Sequence, residues 1–251
     1  MDIVLNEIEW AAEMLRSGTI GKPATQALTA IAKYYYREGY PKKEVREKLE
    51  QYLLRADPTA TPVSWSDTLD RITKFAAKHP PVIVDSVVIT KPEMEAIAAV
   101  ETVQQKRLAF TLLCLAKLRY AINPYTDHWV NTPDTDIMRM ANIKTSVRRQ
   151  SQMYAALRDS GLIRFSRKVD CLSVQVLFCA DGEPEMEITD FRSLGYQYLR
   201  HLEPQKFFVC QNCGVVERIP DDKKRGRPKK YCDACAYQVY LSQSVTRAAV
   251  D

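Results

Sequence analysis

The sequence predicts a mainly α-helical chain with small β hairpins, closed by a compact four-cysteine module. Three observations predict it. Apolar residues recur at helical spacing through most of the chain up to Ser160. Short runs rich in β-branched residues occur at only a few places, bounded by turn residues. Four cysteines near the C-terminus are spaced C-x2-C-x18-C-x2-C. The 251 residues, 46% hydrophobic and 27% charged, have the balance of a folded globular chain with room for more than one core.

The first elements are helices. Ile3 to Arg16 carries Ile3, Leu5, Ile8, Ala11, Ala12 and Leu15 near helical spacing and is broken by Gly18 and Gly21. Pro23 opens a second helix with Leu28, Ile31, Ala32 and Tyr35 in register, ended by Gly39. Pro41 opens a third, striped by Val45, Leu49, Tyr52 and Leu53. After a linker over 57–62, a fourth is expected from about Asp67 to Lys78, capped by Ser64 or Ser66 and stopped by Pro80 and Pro81. Val82-Ile83-Val84 and Val87-Val88-Ile89 read as a short hairpin across Asp85-Ser86, or as one bent strand. Thr90-Lys91-Pro92-Glu93 then fits a capping box and starts helical sequence that runs, with room for a break, to Tyr120.

The centre holds a loop over Asn123–Trp129 and a short helix expected to be capped by Thr132 with Pro133 at its first position. A tight turn, Ala141-Asn142-Ile143-Lys144, leads to a helix from Thr145 or Ser146 to Ser160, with Gly161 at its exit. Two β-rich runs follow, over 162–165 and 172–178. Helix, helix, turn, helix, hairpin is the order of a winged helix-turn-helix. The chain therefore divides into a helical region over 1–57, a helix, hairpin and connecting helix over 63–101, a winged helix over 102–180, a connector over 181–205 and a cysteine module with a C-terminal helix over 206–251.

Charge is unevenly spread. The whole chain carries +5, yet 144–168 alone holds seven cations and one acid, a net of +6. A second block, Lys223 to Lys230, places six cations in eight residues. Two dense basic patches on a near-neutral body point to a polyanion, with double-stranded DNA the expected partner. On the helix after the turn, at about 100° per residue, Val147, Ser151, Tyr154, Leu157 and Arg158 fall on one side, suited to packing. Thr145, Arg148, Arg149, Gln152 and Ala156 fall on the other. Arginine can pair with guanine and glutamine with adenine in the major groove. Arg164, Arg167 and Lys168 would lie in or beside the wing, near phosphates. A solvated basic face on a protein-binding winged helix is the alternative.

Four thiolates suit one structural Zn²⁺, with Cys210 and Cys213 from one knuckle and Cys232 and Cys235 from the other. Four protein ligands leave no open position for catalysis. Of the seven cysteines, Cys114, Cys171 and Cys179 sit in apolar contexts and read as small core residues. Lys224, Arg225, Arg227, Lys229 and Lys230 flank or form Arg225-Gly226-Arg227-Pro228, which resembles the core of an AT-hook. That resemblance implies an extended backbone in an A·T-rich minor groove, while general phosphate contact is the alternative.

The central region resembles the winged helices of phage and plasmid replication or transcription proteins, and the last part resembles the zinc-ribbon tails of bacterial and phage regulators. The resemblance implies a non-enzymatic DNA binder of a mobile element, acting in the cytoplasm of a bacterial host. A host or replication protein gripped through the same modules is the second class. A metal-dependent nuclease using Asp181, Glu183, Glu185, Glu187 and Asp190 is the third. No Walker or dinucleotide glycine motif is present, the three histidines are scattered, and no apolar run approaches the ~18 residues of a membrane span.

Overall fold

The structure, a computed structural model, describes residues 3–20, 23–167, 173–219 and 229–248, with side chains described as far as 241. It resolves into two compact units, divided between Ser86 and Val87.

The first unit is built from four helices: α1 (Glu7–Ser17), α2 (Ala24–Arg37), α3 (Lys42–Ala56) and α4 (Pro62–Ala76). Their apolar stripes meet in one core of Leu28, Ile31, Val45, Leu49, Leu53 and Leu69, all almost wholly buried. Tyr52 lies in the same core, and its hydroxyl reaches the carbonyl of Thr19 at 2.6 Å, so the one polar atom of a large buried ring is satisfied. Asn6 caps α1 by accepting from Ile8 N and Glu9 N, and Gly18 leaves the helix with φ +67°.

Two expectations change here. The fourth helix starts at Pro62 rather than near Asp67. Thr61 is the cap, and it exchanges hydrogen bonds with Ser64 while proline fills the first helical position. This helix packs with α2 and α3, so it belongs with them rather than with the segment that follows. The hairpin across Asp85-Ser86 does not form. Val84 N donates to Leu5 O at 2.9 Å and Glu7 N to Val82 O at 2.9 Å, which lays 82–84 beside 5–7. Asp-Ser has no residue suited to the positive φ of a two-residue hairpin, and each flank finds another partner.

The second unit begins with β1 (Val87–Thr90), α5 (Lys91–Ala98) and α6 (Val103–Ile122). Helix α6 is its axle, with Leu108 to Ala116 buried all round. Around it lie β2 (Trp129–Val130), α7 (Asp134–Met140), α8 (Val147–Asp159), β3 (Ile163–Phe165) and β4 (Val174–Val176). The three strands form one antiparallel sheet in the order β2-β4-β3, so the expected hairpin gains a third strand from the segment read as a loop. Helix α7 starts one residue later than expected. Pro133 holds the cap position, and the Thr132 hydroxyl instead lies 3.4 Å from Arg119 Nη2.

The presumed connector is structured. It supplies β5 (Pro184–Ile188), which pairs antiparallel with β1, and α9 (Leu194–Leu202), which packs on α6 through Leu194 and Tyr198. The chain then forms β6 (Phe207–Val209), β7 (Val216–Arg218) and α10 (Asp233–Ala248).

Glu93 anchors this unit. Its fully buried carboxylate accepts from Lys117 Nζ at 2.8 Å, Thr90 N at 2.8 Å and Ala180 N at 3.0 Å, joining α5, α6 and the start of the β5 segment. Gly195 of α9 lies against the turn after α7, where a Cβ would sit 2.0 Å from Ala141 O. Only glycine permits that approach. No described helix is long and apolar enough to cross a membrane.

Candidate functional site

Each pair of cysteines is presented by a different local device. Cys210 and Cys213 sit on the loop between β6 and β7, where Cys210 N donates to Val215 O at 3.0 Å and Gly214 N returns to Cys210 O at 2.9 Å. Gly214 turns the chain with φ +74°, a conformation that suits glycine. Cys232 immediately precedes α10 and Cys235 lies in its first turn, with Cys235 N 3.4 Å from Cys232 Sγ. The helix N-terminus and this N–H both favour negative sulfur. Gln211 N donates to Lys230 O at 2.9 Å and ties the two arms together.

The four sulfurs lie within 4.8 Å of one another, and Cys213 and Cys232 Sγ are 3.7 Å apart. A tetrahedron with metal–sulfur bonds of ~2.3 Å has edges of ~3.8 Å, so the cluster has the size of a four-thiolate metal site. The donor set is all sulfur, the cysteines are free thiols, and three of the four are buried. These residues fit one metal ion. Among the described residues this is the one group of three or more His, Cys, Asp or Glu donors close enough to hold a metal.

The thiol electrostatics follow the same geometry. Burial works against ionisation of Cys210, but backbone N–H groups of Cys232, Cys213 and Asn212 prevail and bring it down to about 6. Burial together with the neighbouring thiols pushes Cys232 up to about 12 and also raises Cys213. Four sulfurs this close cannot share so much negative charge unaided, and a bound cation reverses that balance.

Two further residues support the site: Asn212, which the sequence marks only as part of the turn around the first pair, and Arg192, which it does not mark. Asn212 Nδ2 donates to Cys235 Sγ at 3.3 Å, and Arg192, held by Asp190 at 2.6 Å, donates to Cys213 O. Both orient the knuckles as outer partners do in metal sites. Asn212 sits inside its own C-x-x-C. Arg192 is far away in sequence and has no local signal.

Arg148, Arg149 and Gln152 are exposed on α8, and neither arginine enters an ion pair among the described residues. Thr145 is half-buried and precedes the helix, and its carbonyl accepts from Gln150. The packing side differs from the expected set. Met153, Tyr154 and Leu157 are buried, whereas Ser151 and Arg158 are exposed and Val147 is 77% exposed. Val147 starts the helix beyond the reach of the core, while Met153 lies about 40° round the helix from Leu157 and shares its buried side.

Of the other sequence-chosen cations, Arg167 is exposed at the edge of the described segment. Arg164 lies on one sheet face with Gln175 and Trp129, bonding the Gln175 side chain and resting 5.8 Å from the Trp129 ring. Lys229 is committed within the cysteine module, 3.2 Å from Glu217 and 2.8 Å from Asp233. Lys230 is exposed. Lys168, Lys224, Arg225 and Arg227, and also Cys171, lie outside the described residues. Cys114 is buried and Cys179 partly so, and burial raises both thiols, Cys179 to about 12. Three of the five residues of the suggested acidic patch have separate partners, Glu183 on Lys91, Glu185 near His201 and Asp190 on Arg192.

No known family, curated protein or solved structure matches the chain. Its site is therefore read from its own geometry.

Proposed function

We propose that this chain is a non-enzymatic DNA-binding protein, in which 102–180 is a winged helix-turn-helix and the cysteine module carries one structural zinc. The observation that carries the reading is the exposed face of α8. It presents Arg148, Arg149 and Gln152 with Lys144 just ahead, and its first acid is Asp159. Val147, an apolar residue exposed in the first turn, suits a thymine methyl group as well as the arginines suit guanine. The element order α6, β2, α7, α8, β3, β4 with sheet order β2-β4-β3 supports the winged-helix assignment, because the strands following α8 would project a wing beside it. Four sulfur donors spaced for one tetrahedral ion favour zinc over harder metals. The role that follows is regulation of transcription or replication in a phage or other mobile element.

Fluorescence anisotropy on a labelled random duplex tests this reading. Binding should weaken steeply with added salt, as phosphate contact requires. Salt-independent retention, or none at low salt, would sink it.

A second reading has its own observation. Helix α10 exposes Tyr237, Tyr240 and Leu241, which is more apolar surface than a metal-tied helix needs. It favours a factor that grips a host protein through the cysteine module. A chain that binds no duplex yet keeps its metal would move the assignment there.

A further inference from the structure

The first unit holds a cavity of about 380 Å³ between α3 and α4. Lys42, Lys43 and Arg46 line it from α3, and Asp70, Thr73 and Lys74 line it from α4. Each set recurs at helical spacing, so one face of each helix encloses the space. Arg46 ties the two faces together. Its Nε donates to Asp70 at 2.8 Å and its Nη1 to Glu50 at 2.6 Å, so two carboxylates match its charge. Thr73 is also satisfied. Its hydroxyl donates to Leu69 O at 2.7 Å, and its carbonyl accepts from the Tyr36 hydroxyl at 3.2 Å.

The three lysines are different. Lys42, Lys43 and Lys74 are exposed and enter no ion pair or hydrogen bond among the described residues. Asp70 is the one acid in the lining, and it is committed to Arg46. Glu44 lies about 200° round α3 from Lys42, and neither it nor Glu47 lines the cavity. Two of the lysines also stand where a helix least favours cations. Lys42 and Lys43 open α3, whose cap Pro41 supplies no side-chain acceptor, and the positive end of the helix dipole favours an anion there. A local preference broken with no compensating contact marks a binding surface more than a folding device.

The chemistry of the lining selects the ligand. A carboxylate offers two oxygens in one plane and a single charge. A phosphate group offers tetrahedrally placed oxygens and a charge near −2, which suits three ammonium groups arriving from two helices. The volume lies in the range of small-molecule sites, ~300–1,000 Å³, so part of the molecule that carries the phosphate also has room.

We propose that Lys42, Lys43 and Lys74 form a phosphate-binding site between α3 and α4, which takes the phosphoryl group of a phosphate ester. The site gives the first unit a ligand of its own and does not rest on the DNA-binding reading. A free phosphate monoester and a backbone phosphate of a duplex share this chemistry, and the test separates them.

The test uses the full metal-loaded chain in equilibrium dialysis against labelled inorganic phosphate, with chloride holding the ionic strength. Wild type is compared with the double variant Lys42→Gln, Lys43→Gln, with Lys74→Gln, and with Lys78→Gln, which removes an exposed charge just past α4 and outside the lining. The substituted side chains are exposed and unpaired, so all four chains should melt alike in chloride. The double variant and Lys74→Gln should each weaken phosphate binding by about tenfold or more, the worth of a charged hydrogen bond, while Lys78→Gln binds as wild type does. No binding by wild type, or equal binding by all four chains, overturns the site. Competition by acetate as effective as that by phosphate overturns the choice of ligand. Where the lysines are required, duplex binding titrated with salt identifies the source. A slope of log K against log salt lowered by ~0.9 in Lys74→Gln upholds the site with a backbone phosphate as ligand. An unchanged slope upholds it with a free phosphate ester. Lysine-dependent phosphate binding by a chain that binds no duplex upholds the site and overturns the DNA reading alone.

Discussion

The two units are held by different physics. The first is four amphipathic helices closed on one apolar core, with few buried polar groups beyond the caps: the Tyr52 hydroxyl, Thr73 bonded to the Leu69 carbonyl, and the pair of Lys33 and Glu7. The second is wound round one helix, α6, and its periphery is fastened by discrete polar devices: the Glu93 carboxylate, the Asn142 side chain held by Tyr196 N, and the four sulfurs. Burial is spread over many contacts, so a truncation there costs the area and cavity it leaves, whereas a buried ionic or thiolate anchor strands a charged partner when a single member is lost. The four cysteines and the basic face of α8 both lie in the second unit.

The largest effect separating the units should come from the metal. Chelation, or Cys213→Ser, should unfold the chain beyond Phe207 and leave the α6–β4 region and the first unit folded. The binding free energy of such sites, ~10–16 kcal/mol, is folding free energy. Metal analysis should find one zinc per chain, and hydrogen exchange should place the loss; a metal-free preparation with a protected tail would break the comparison.

Glu93→Ala should follow. Removing one partner of a buried ion pair and stranding Lys117 should lower the stability of the second unit by ~3–5 kcal/mol. The equivalent blow to the first unit, Leu49→Ala, should lower its stability by ~2–5 kcal/mol through a cavity and leave the metal content unchanged. Denaturant titrations with probes in each unit would show whether the two losses stay separate.

Gly195→Ala should lower stability by ~1–3 kcal/mol, since its Cβ would meet the Ala141 carbonyl and one of two packed backbones must yield. Thermal melting reads it, and a silent substitution would mean that α9 does not clasp the turn. The smallest effects should belong to exposed residues of α8. Arg149→Ala or Gln152→Ala should reduce discrimination between target and random duplexes by ~1–3 kcal/mol with the melting midpoint unmoved. Equal losses on both duplexes would make that residue a phosphate contact.

The sequence by itself determined whatever is encoded locally. The stripes of α2 and α3, the Gly161 exit of α8 and the reciprocal capping at Thr90 are short-range regularities. The metal donors were legible because a knuckle spans only two intervening residues and thiols have few other reasons to recur at that spacing. Tertiary structure decided what periodicity leaves open, namely the partner of each face. Val87-Val88-Ile89 is extended in either reading, but only packing on α6 and α5 brings it beside β5 rather than beside 82–84. Trp129–Val130 is too short to declare itself a strand until β4 offers an edge. A charge count cannot tell the free arginines of α8 from Lys229, which two carboxylates neutralise. Nor could it separate Arg107 from any other helix arginine, because its bond to the Asn142 carbonyl and its buried, unmatched Nε exist only once α6 has met the turn before α8. Hydrogen-bond and ion-pair partners distant in sequence are chosen by the whole fold's burial, and no local window holds that information.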